Sequence, residues 1–263
     1  MKLRDEIDNR FRTELPSPGD FAICCRDEKL LFAYDGENIV FPTVSQVGAA
    51  EQYLFTHGDA RYFSADADPF GDFEYRSPWE MRDAPQKDPA FAGATALHLI
   101  RWYRSNRYCG RCGRGMRHSG TERAMVCDCG NTVYPRIDPA VIVGVLSRGR
   151  ICLTKYNREN AKWALVAGYS EIGETAEQTV HREVLEETGL RVKNLRFWHS
   201  QPWGLSGSLL YGFFCEADGD DEIRVDHEEL KEGRWFLPEE IDFGDDGFSL
   251  TREMIEAFRT GSV

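Results

Sequence analysis

The chain has 263 residues, 41% of them apolar and 29% charged, which is enough for one large or two medium domains with hydrophobic cores. No apolar run approaches the roughly 20 residues of a membrane span, and the charged start MKLRDEIDNR lacks the apolar centre of a secretory leader, so a cytoplasmic location and no membrane partner are expected. A net charge of -12 argues against a surface that attracts polyanions as a whole.

Residues 1–104 hold short alternating runs (FAICC, KLLFAY, NIVF, QYLFTHG) separated by Gly, Asp and Pro, and predict a small β-rich domain. A linker is expected at 83–89, followed by helical apolar spacing over 91–103. Four of the eight cysteines (Cys24, Cys25, Cys152, Cys215) lie in apolar, strand-like runs and read as buried, inert thiols. The other four fall within 21 residues: Cys109 and Cys112 form a CxxC knuckle, and Cys127 and Cys129 a CxC pair. Two close pairs separated by a hairpin-length loop, in a chain without a secretory leader, predict a closed four-thiolate structural zinc site over 105–134. A redox pair is the alternative, although neither pair opens a thioredoxin-like helix. From 101 to 123 seven arginines face one acid, Glu122. Charge compensation of the thiolates explains them, and phosphate contact with a substrate or RNA is the functional alternative.

Residues 135–263 alternate strand-like runs (AVIVGVL, RICLTKY, WALVAGY, RFWHSQPW, SLLYGFFCEA, GRWF) with helical patterns at 175–188 and 248–259, which predicts a layered α/β domain. The first of these helices stops at Gly189. On it Glu183, Glu186 and Glu187 are related by three and four residues, so three carboxylates share a face. Arg182 offsets one of these charges, and the remainder calls for a cation. Oxygen donors without His or Cys favour Mg²⁺ or Mn²⁺ over zinc.

Gly168, Glu174, Arg182, Glu183, Glu186, Glu187 and Gly189, with Val184 and Leu190 at the aliphatic positions, stand at the spacing G-x5-E-x7-R-E-U-x-E-E-x-G-U. This run resembles the box of the Nudix hydrolases without a mismatch. The resemblance implies an α/β/α sandwich, a loop-helix-loop at the box and hydrolysis of nucleoside diphosphates linked to another group. It also implies metal ligation by Glu183, Glu187, the main-chain carbonyl of Ala167 and an outlying glutamate, Glu229, with Glu186 beside them as a catalytic carboxylate. Gly168, Glu174 and Arg182 would orient the box. If a glutamate takes the proton of the attacking water, Glu187 is the choice.

After the box comes Ser200-Gln201-Pro202-Trp203 with Ser208 a few residues on, and Tyr134-Pro135-Arg136 follows the last cysteine. The order of cysteine cluster, YPR, box and SQPW is similar to bacterial NADH pyrophosphatases, with their SQPWPFPxS signature, over residues 100–260. The resemblance implies cleavage of NADH or NAD⁺ to AMP and nicotinamide mononucleotide, removal of NAD caps from RNA (mRNA decapping), and a homodimer. Gln201, Pro202, Trp203, Ser208, Tyr134 and Glu122 would line the nucleotide pocket, and Tyr169 would stack on nicotinamide opposite Trp203. Arg82 and Thr251 align loosely as further substrate contacts. Gly204-Leu205-Ser206 replaces the family's Pro-Phe-Pro, which predicts a softer loop and leaves NADH in competition with ADP-ribose. A non-catalytic nucleotide sensor and a zinc-ribbon nucleic-acid adaptor are the alternatives from other classes. The complete set of metal ligands opposes the first, and the acidic charge opposes the second.

Overall fold

The computed structural model describes residues 7–225 and 227–263, so the charged first six residues and Asp226, in the stretch before Glu229, lie outside it. The chain divides into two compact units, residues 1–136 with 203–207, and residues 137–202 with 208–263.

The first unit is built on a seven-stranded sheet. Its strands run in the order Ile7–Asp8, Tyr53–His57, Ala60–Ala65, Phe21–Arg26, Lys29–Asp35, Asn38–Val40, with Glu74–Arg76 also paired to Lys29–Asp35. The alternating runs of the sequence become these strands, and Ala22, Ile23, Cys24, Leu30, Leu31 and Phe32 are buried. Cys24 is buried enough that its thiol is pushed up to about 12, as are Cys152 and Cys215 in the second unit, which suits inert core residues. The linker expected at 83–89 is shorter than its composition suggests. A 3-10 helix, Pro78–Asp83, capped by Ser77, runs nearly into the long helix Lys87–Ser105, because Pro78 starts the first and Pro89 is tolerated in the opening turn of the second. A separate three-stranded sheet, Arg117–His118, Met125–Val126 and Thr132–Val133, follows Cys109 and Cys112 and carries Cys127 and Cys129 in the turn between its last two strands.

In the second unit the strands run in the order Val192–Trp203, Ser208–Ala217, Asp138–Ser147, Arg150–Tyr156, Leu230–Phe236, with Val166–Tyr169 paired to Asp138–Ser147. Trp203, the last residue of its strand, is counted with the first unit. Asp138–Ser147 and Ser208–Ala217 pair in parallel at the centre. Side chains alternate across a strand, so Val141, Val143 and Val145 point to one face with Val180 and Val184 of the helix Ala176–Thr188. Ile142 joins the opposite core with Met254, Ile255 and Phe258 of the helix Leu250–Arg259. A helix on each face explains why AVIVGVL is continuously apolar rather than alternating. The unit is an α/β/α sandwich. Among the described residues no helix is long and apolar enough to cross a membrane.

Candidate active site

The carboxylate helix is fixed at both ends by local chemistry. The Thr175 hydroxyl accepts from the Gln178 amide at 3.2 Å, and the Gln178 side chain accepts from the Thr175 amide at 2.8 Å, a reciprocal cap for the exposed first turn. Val180 and Val184 set the buried stripe, and Glu187, one turn further on nearly the same face, is drawn under with them and is 4% exposed. Glu186 points away, its side chain 59% exposed. The helix therefore separates three equivalent-looking glutamates into a buried one, an exposed one and the intermediate Glu183.

Arg182 organises the cluster. Its Nε and Nη2 donate to the two oxygens of Glu174 at 2.7 and 2.8 Å, a bidentate pair, and Nη1 donates to Glu183 at 2.6 Å and Glu186 at 3.0 Å. Nη2 also donates to the carbonyl of Tyr169 at 2.8 Å, which ties the helix to the strand Val166–Tyr169. Hydrogen bonds from Arg182, from the Glu171 amide and from Thr179 hold the Glu174 carboxyl down at about 2.

Glu187 has the opposite character. Burial, then the charges of Glu183 and Glu229, pushes its carboxyl up to about 8, and only a hydrogen bond from the Ala167 amide opposes the shift. Its Oε2 is buried without a hydrogen-bond partner. Burial also raises Glu183, again with Glu229 contributing. Glu229, in the turn before Leu230–Phe236, is thus close enough in charge to act on both helix carboxylates. The box glycine is demanded by close approach: a Cβ on Gly168 would stand 1.9 Å from Cδ of Glu183. Glu183 packs against Gly168 and Glu187 accepts from the Ala167 amide with one oxygen left orphaned, so the residues beside this strand offer oxygen donors of the type a hard divalent cation takes, although the described carboxylates do not converge as the cysteine sulfurs do.

The folded Glu187 binds a proton that the unfolded chain, with an ordinary carboxyl near 4.5, releases earlier. Its contribution to stability is fully present below that ordinary value and is lost as pH rises through about 8. Without divalent ions, the denaturation midpoint should decrease as pH rises from about 4.5 to about 8 and level off above that, and Glu187→Gln should flatten the slope. Parallel slopes for the two proteins would assign the titration to another group.

Within the second unit, Tyr169 presents an exposed ring, its hydroxyl 3.3 Å from Ser208 Oγ. Thr251 lies in the first turn of Leu250–Arg259, and Pro202 is exposed. Gln201 is 2% exposed, and its amide is occupied: Nε2 donates to the Phe248 carbonyl at 2.7 Å, and Oε1 accepts from the Leu250 amide at 2.6 Å. Its side chain braces the start of that helix. Within the first unit, the exposed Tyr134 donates to Glu122 at 3.1 Å. Arg82 lies 5.6 Å over the Trp203 ring.

The loop after Trp203 is pinned, contrary to the softness expected from its lost prolines. A Cβ on Gly204 would stand 2.2 Å from the Ala94 carbonyl oxygen, so the loop backbone lies directly on the helix Lys87–Ser105. Leu205 is buried, and its carbonyl accepts from Arg101 at 2.7 Å. Glycine permits this contact, where a proline ring would collide. The sequence reading passed over Trp79, which is 50% exposed, with its ring centroid 6.5 Å from that of Trp203 and Arg82 5.9 Å above it. Its signal was its place three residues before Arg82, the spacing that eclipses side chains on a 3-10 helix.

The four cysteine sulfurs lie within 4.8 Å of one another, the sole such group of three or more metal-binding side chains among the described residues. Cys109 to Cys129 is 3.7 Å and Cys112 to Cys127 is 3.5 Å. Sulfurs held 2.3 Å from a tetrahedral ion stand about 3.8 Å apart, so the set fits zinc. The Arg114 amide and guanidinium hold the Cys112 thiol down at about 6.

The family model described as NUDIX domain matches residues 136–258. Those residues are similar to a NUDIX domain. The chain is 41% identical over 162 residues to the NAD-capped RNA hydrolase NudC of Escherichia coli O9:H4 (strain HS), a match spanning 61% of this chain and 63% of that protein. The figures are the same for the NAD-capped RNA hydrolase NudC of Shigella boydii serotype 18 (strain CDC 3083-94 / BS512). The chain thus spans 63% of the length of these curated relatives. A solved NUDIX hydrolase from Nitrosomonas europaea superposes with a TM-score of 0.51 at 23% identity, covering 59% of this chain and 90% of that one, which shows the fold. In the matched region the glutamates 183, 186 and 187 fall on the helix Ala176–Thr188 described above.

Proposed function

We propose that this chain is a metal-dependent pyrophosphohydrolase that splits NADH or NAD⁺ into nicotinamide mononucleotide and AMP, working as a cytoplasmic homodimer. The observation that carries the reading is Glu187: a buried carboxyl with an orphaned oxygen, beside Glu183 and within reach of the Glu229 charge, can carry its negative charge there only with a cation beside it. Glu183, Glu187, Glu229 and the Ala167 carbonyl would hold Mg²⁺ or Mn²⁺, and Cys109, Cys112, Cys127 and Cys129 a structural Zn²⁺. Divalent ions, when bound, neutralise the pyrophosphate oxygens and make water a better nucleophile toward phosphorus.

The chain's own residues do the rest. Arg182 keeps Glu174, Glu183 and Glu186 in one cluster, so the helix carboxylates are placed before substrate arrives. Glu187, whose carboxyl is pushed up to about 8, is the group to take the proton of the attacking water. The water oxygen bonds to one phosphorus, the bridging oxygen leaves with the other, and two monophosphates result. Within the second unit, the exposed ring of Tyr169 offers a flat face to a base or nicotinamide. The reading is tested by incubating NADH with the protein and Mg²⁺ or Mn²⁺ in ¹⁸O water and identifying products by mass. One ¹⁸O in AMP or in nicotinamide mononucleotide is expected, and intact NADH at every metal concentration would remove the enzyme reading in favour of a nucleotide sensor.

The similarity to NAD-capped RNA hydrolases favours a second substrate with the same bond, an RNA bearing a 5′ NAD cap. If the RNA body is held by arginines, cleavage of capped RNA should fall steeply with salt while cleavage of free NADH changes little.

Trp203 tests the nicotinamide preference. Trp203→Ala should reduce kcat/KM for NADH by roughly 5- to 150-fold, from about 1–3 kcal/mol of stacking per ring. ADP-ribose keeps the pyrophosphate and lacks the nicotinamide, so it should be nearly unaffected. Equal losses on both substrates would make Trp203 a support of the loop.

A further inference from the structure

The first unit contains a cavity of about 480 Å³ that none of the box residues or expected substrate contacts line. Its floor includes Ala65, Ile100 and Met125, and its rim carries Arg104 and Arg107. Seven other arginines of this unit (10, 12, 26, 61, 76, 101 and 117) sit in ion pairs. Neither Arg104 nor Arg107 has an ion pair or a side-chain hydrogen bond among the described residues. Arg111, Arg114 and Arg123 of this unit also lack an ion pair among the described residues, but of these five only Arg104 and Arg107 line the cavity. Arg104, in the last helical turn, complements the helix C-terminus, but Arg107 lies beyond the end of the helix at Ser105 and gains nothing from it.

A ring pair stands beside them. Tyr103 and His118 lie 4.8 Å apart at 41°, and Met116 adds a polarisable thioether to the same wall. Of the two rim carboxylates, Asp66 is engaged by Arg26 at 2.9 Å, which leaves Glu51 to accept a hydrogen bond from a ligand. Paired guanidinium forks suit a phosphate, an aromatic wall over an apolar floor suits a planar base, and a carboxylate suits an exocyclic amine. The volume lies within the range of small-molecule sites.

We propose that this cavity binds a nucleoside monophosphate, with its phosphate on Arg104 and Arg107 and its base against Tyr103 and His118. The site uses no residue of the box helix, so it stands or falls separately from the pyrophosphatase reading. The reaction proposed above would itself release two molecules of this class.

The chain has five methionines, and ¹³C-methyl labelling places a probe in the cavity at Met116 and Met125, with Met81 and Met254 as buried references elsewhere. AMP added to zinc-loaded full-length protein, without Mg²⁺ or Mn²⁺, should shift Met116 and Met125 saturably and leave Met254 still. Arg104→Ala/Arg107→Ala should weaken that binding at least about tenfold, the loss of two charge-assisted contacts. Arg104→Lys/Arg107→Lys, which keeps the charge and removes the forks, should fall between, and it serves if the alanine pair does not fold. Adenosine and inorganic phosphate should each bind at least about tenfold more weakly than AMP. Unmoved Met116 and Met125 signals would overturn the proposal, as would arginine variants that bind AMP like the wild type. Inorganic phosphate as potent as AMP would reduce the cavity to an anion site and refute the nucleotide assignment.

Discussion

Glu187→Gln is expected to abolish nearly all NADH turnover while leaving the fold intact. Its side chain lies under the helix with one oxygen unpartnered, and the amide of glutamine fills the same volume without the charge that a divalent cation requires. Loss of one charged ligand removes several kcal/mol of electrostatic stabilisation, and at 1.36 kcal/mol per decade this is a decrease on the order of 10³ in kcat. Glu177, exposed in the first turn of the same helix, is the control: Glu177→Gln should retain full activity. Metal affinity gives a second readout. Mn²⁺ titrated into wild type should bind more tightly as pH rises toward about 8, because the Glu187 proton must leave first, and the variant should lack that dependence. Comparable activity in the two variants would remove Glu187 from the reaction.

The second large effect concerns stability. The purified protein should contain one zinc per chain, and Cys109→Ser should lose it and melt at least about 10 °C lower. That figure follows from several kcal/mol of metal-coupled folding energy at roughly 2–4 °C per kcal/mol for a chain of this size. Cys109 is buried, its carbonyl accepts from Gly113 at 2.8 Å, and its sulfur accepts from Asn131 at 3.4 Å, so the knuckle is organised around it. The CxC pair closes a tighter turn than CxxC, with the Gly130 amide donating to the Cys127 carbonyl at 2.9 Å, and still brings its sulfurs into the cluster. A zinc-free preparation with unchanged melting would sink the closed-site assignment. Chelation of a zinc-loaded sample should reproduce the melting of Cys109→Ser.

The sandwich and its carboxylate helix were legible in the sequence because the information is local. Period-two burial of Val141, Val143 and Val145 against Ile142, and Val180, Val184 and Glu187 at helical spacing, are properties of a few neighbouring residues. The cap at Thr175, the stop at Gly189 and the reach of Arg182 to Glu186 four residues on follow from the same short-range geometry. The cysteine cluster was legible for a related reason, since four thiols of one type within 21 residues have few other uses.

What only the tertiary structure decided involves residues far apart in the chain. The amide of Gln201 is taken by Phe248 and Leu250, the Gly204 backbone rests on Ala94, and Trp79 meets Trp203. The residue types in each pair are compatible with many other partners. The choice among them depends on how the elements carrying them pack, to within an ångström or two. The same holds for the cavity beside Arg104: seven arginines within 23 residues read alike, and the fold brings two of them, without an ion pair among the described residues, to a cavity lined by a ring pair. Sequence spacing determined which groups are present and which share a helix face. Long-range packing determined which of them became buried, braced or available, because burial and pairing depend on neighbours that no local pattern specifies.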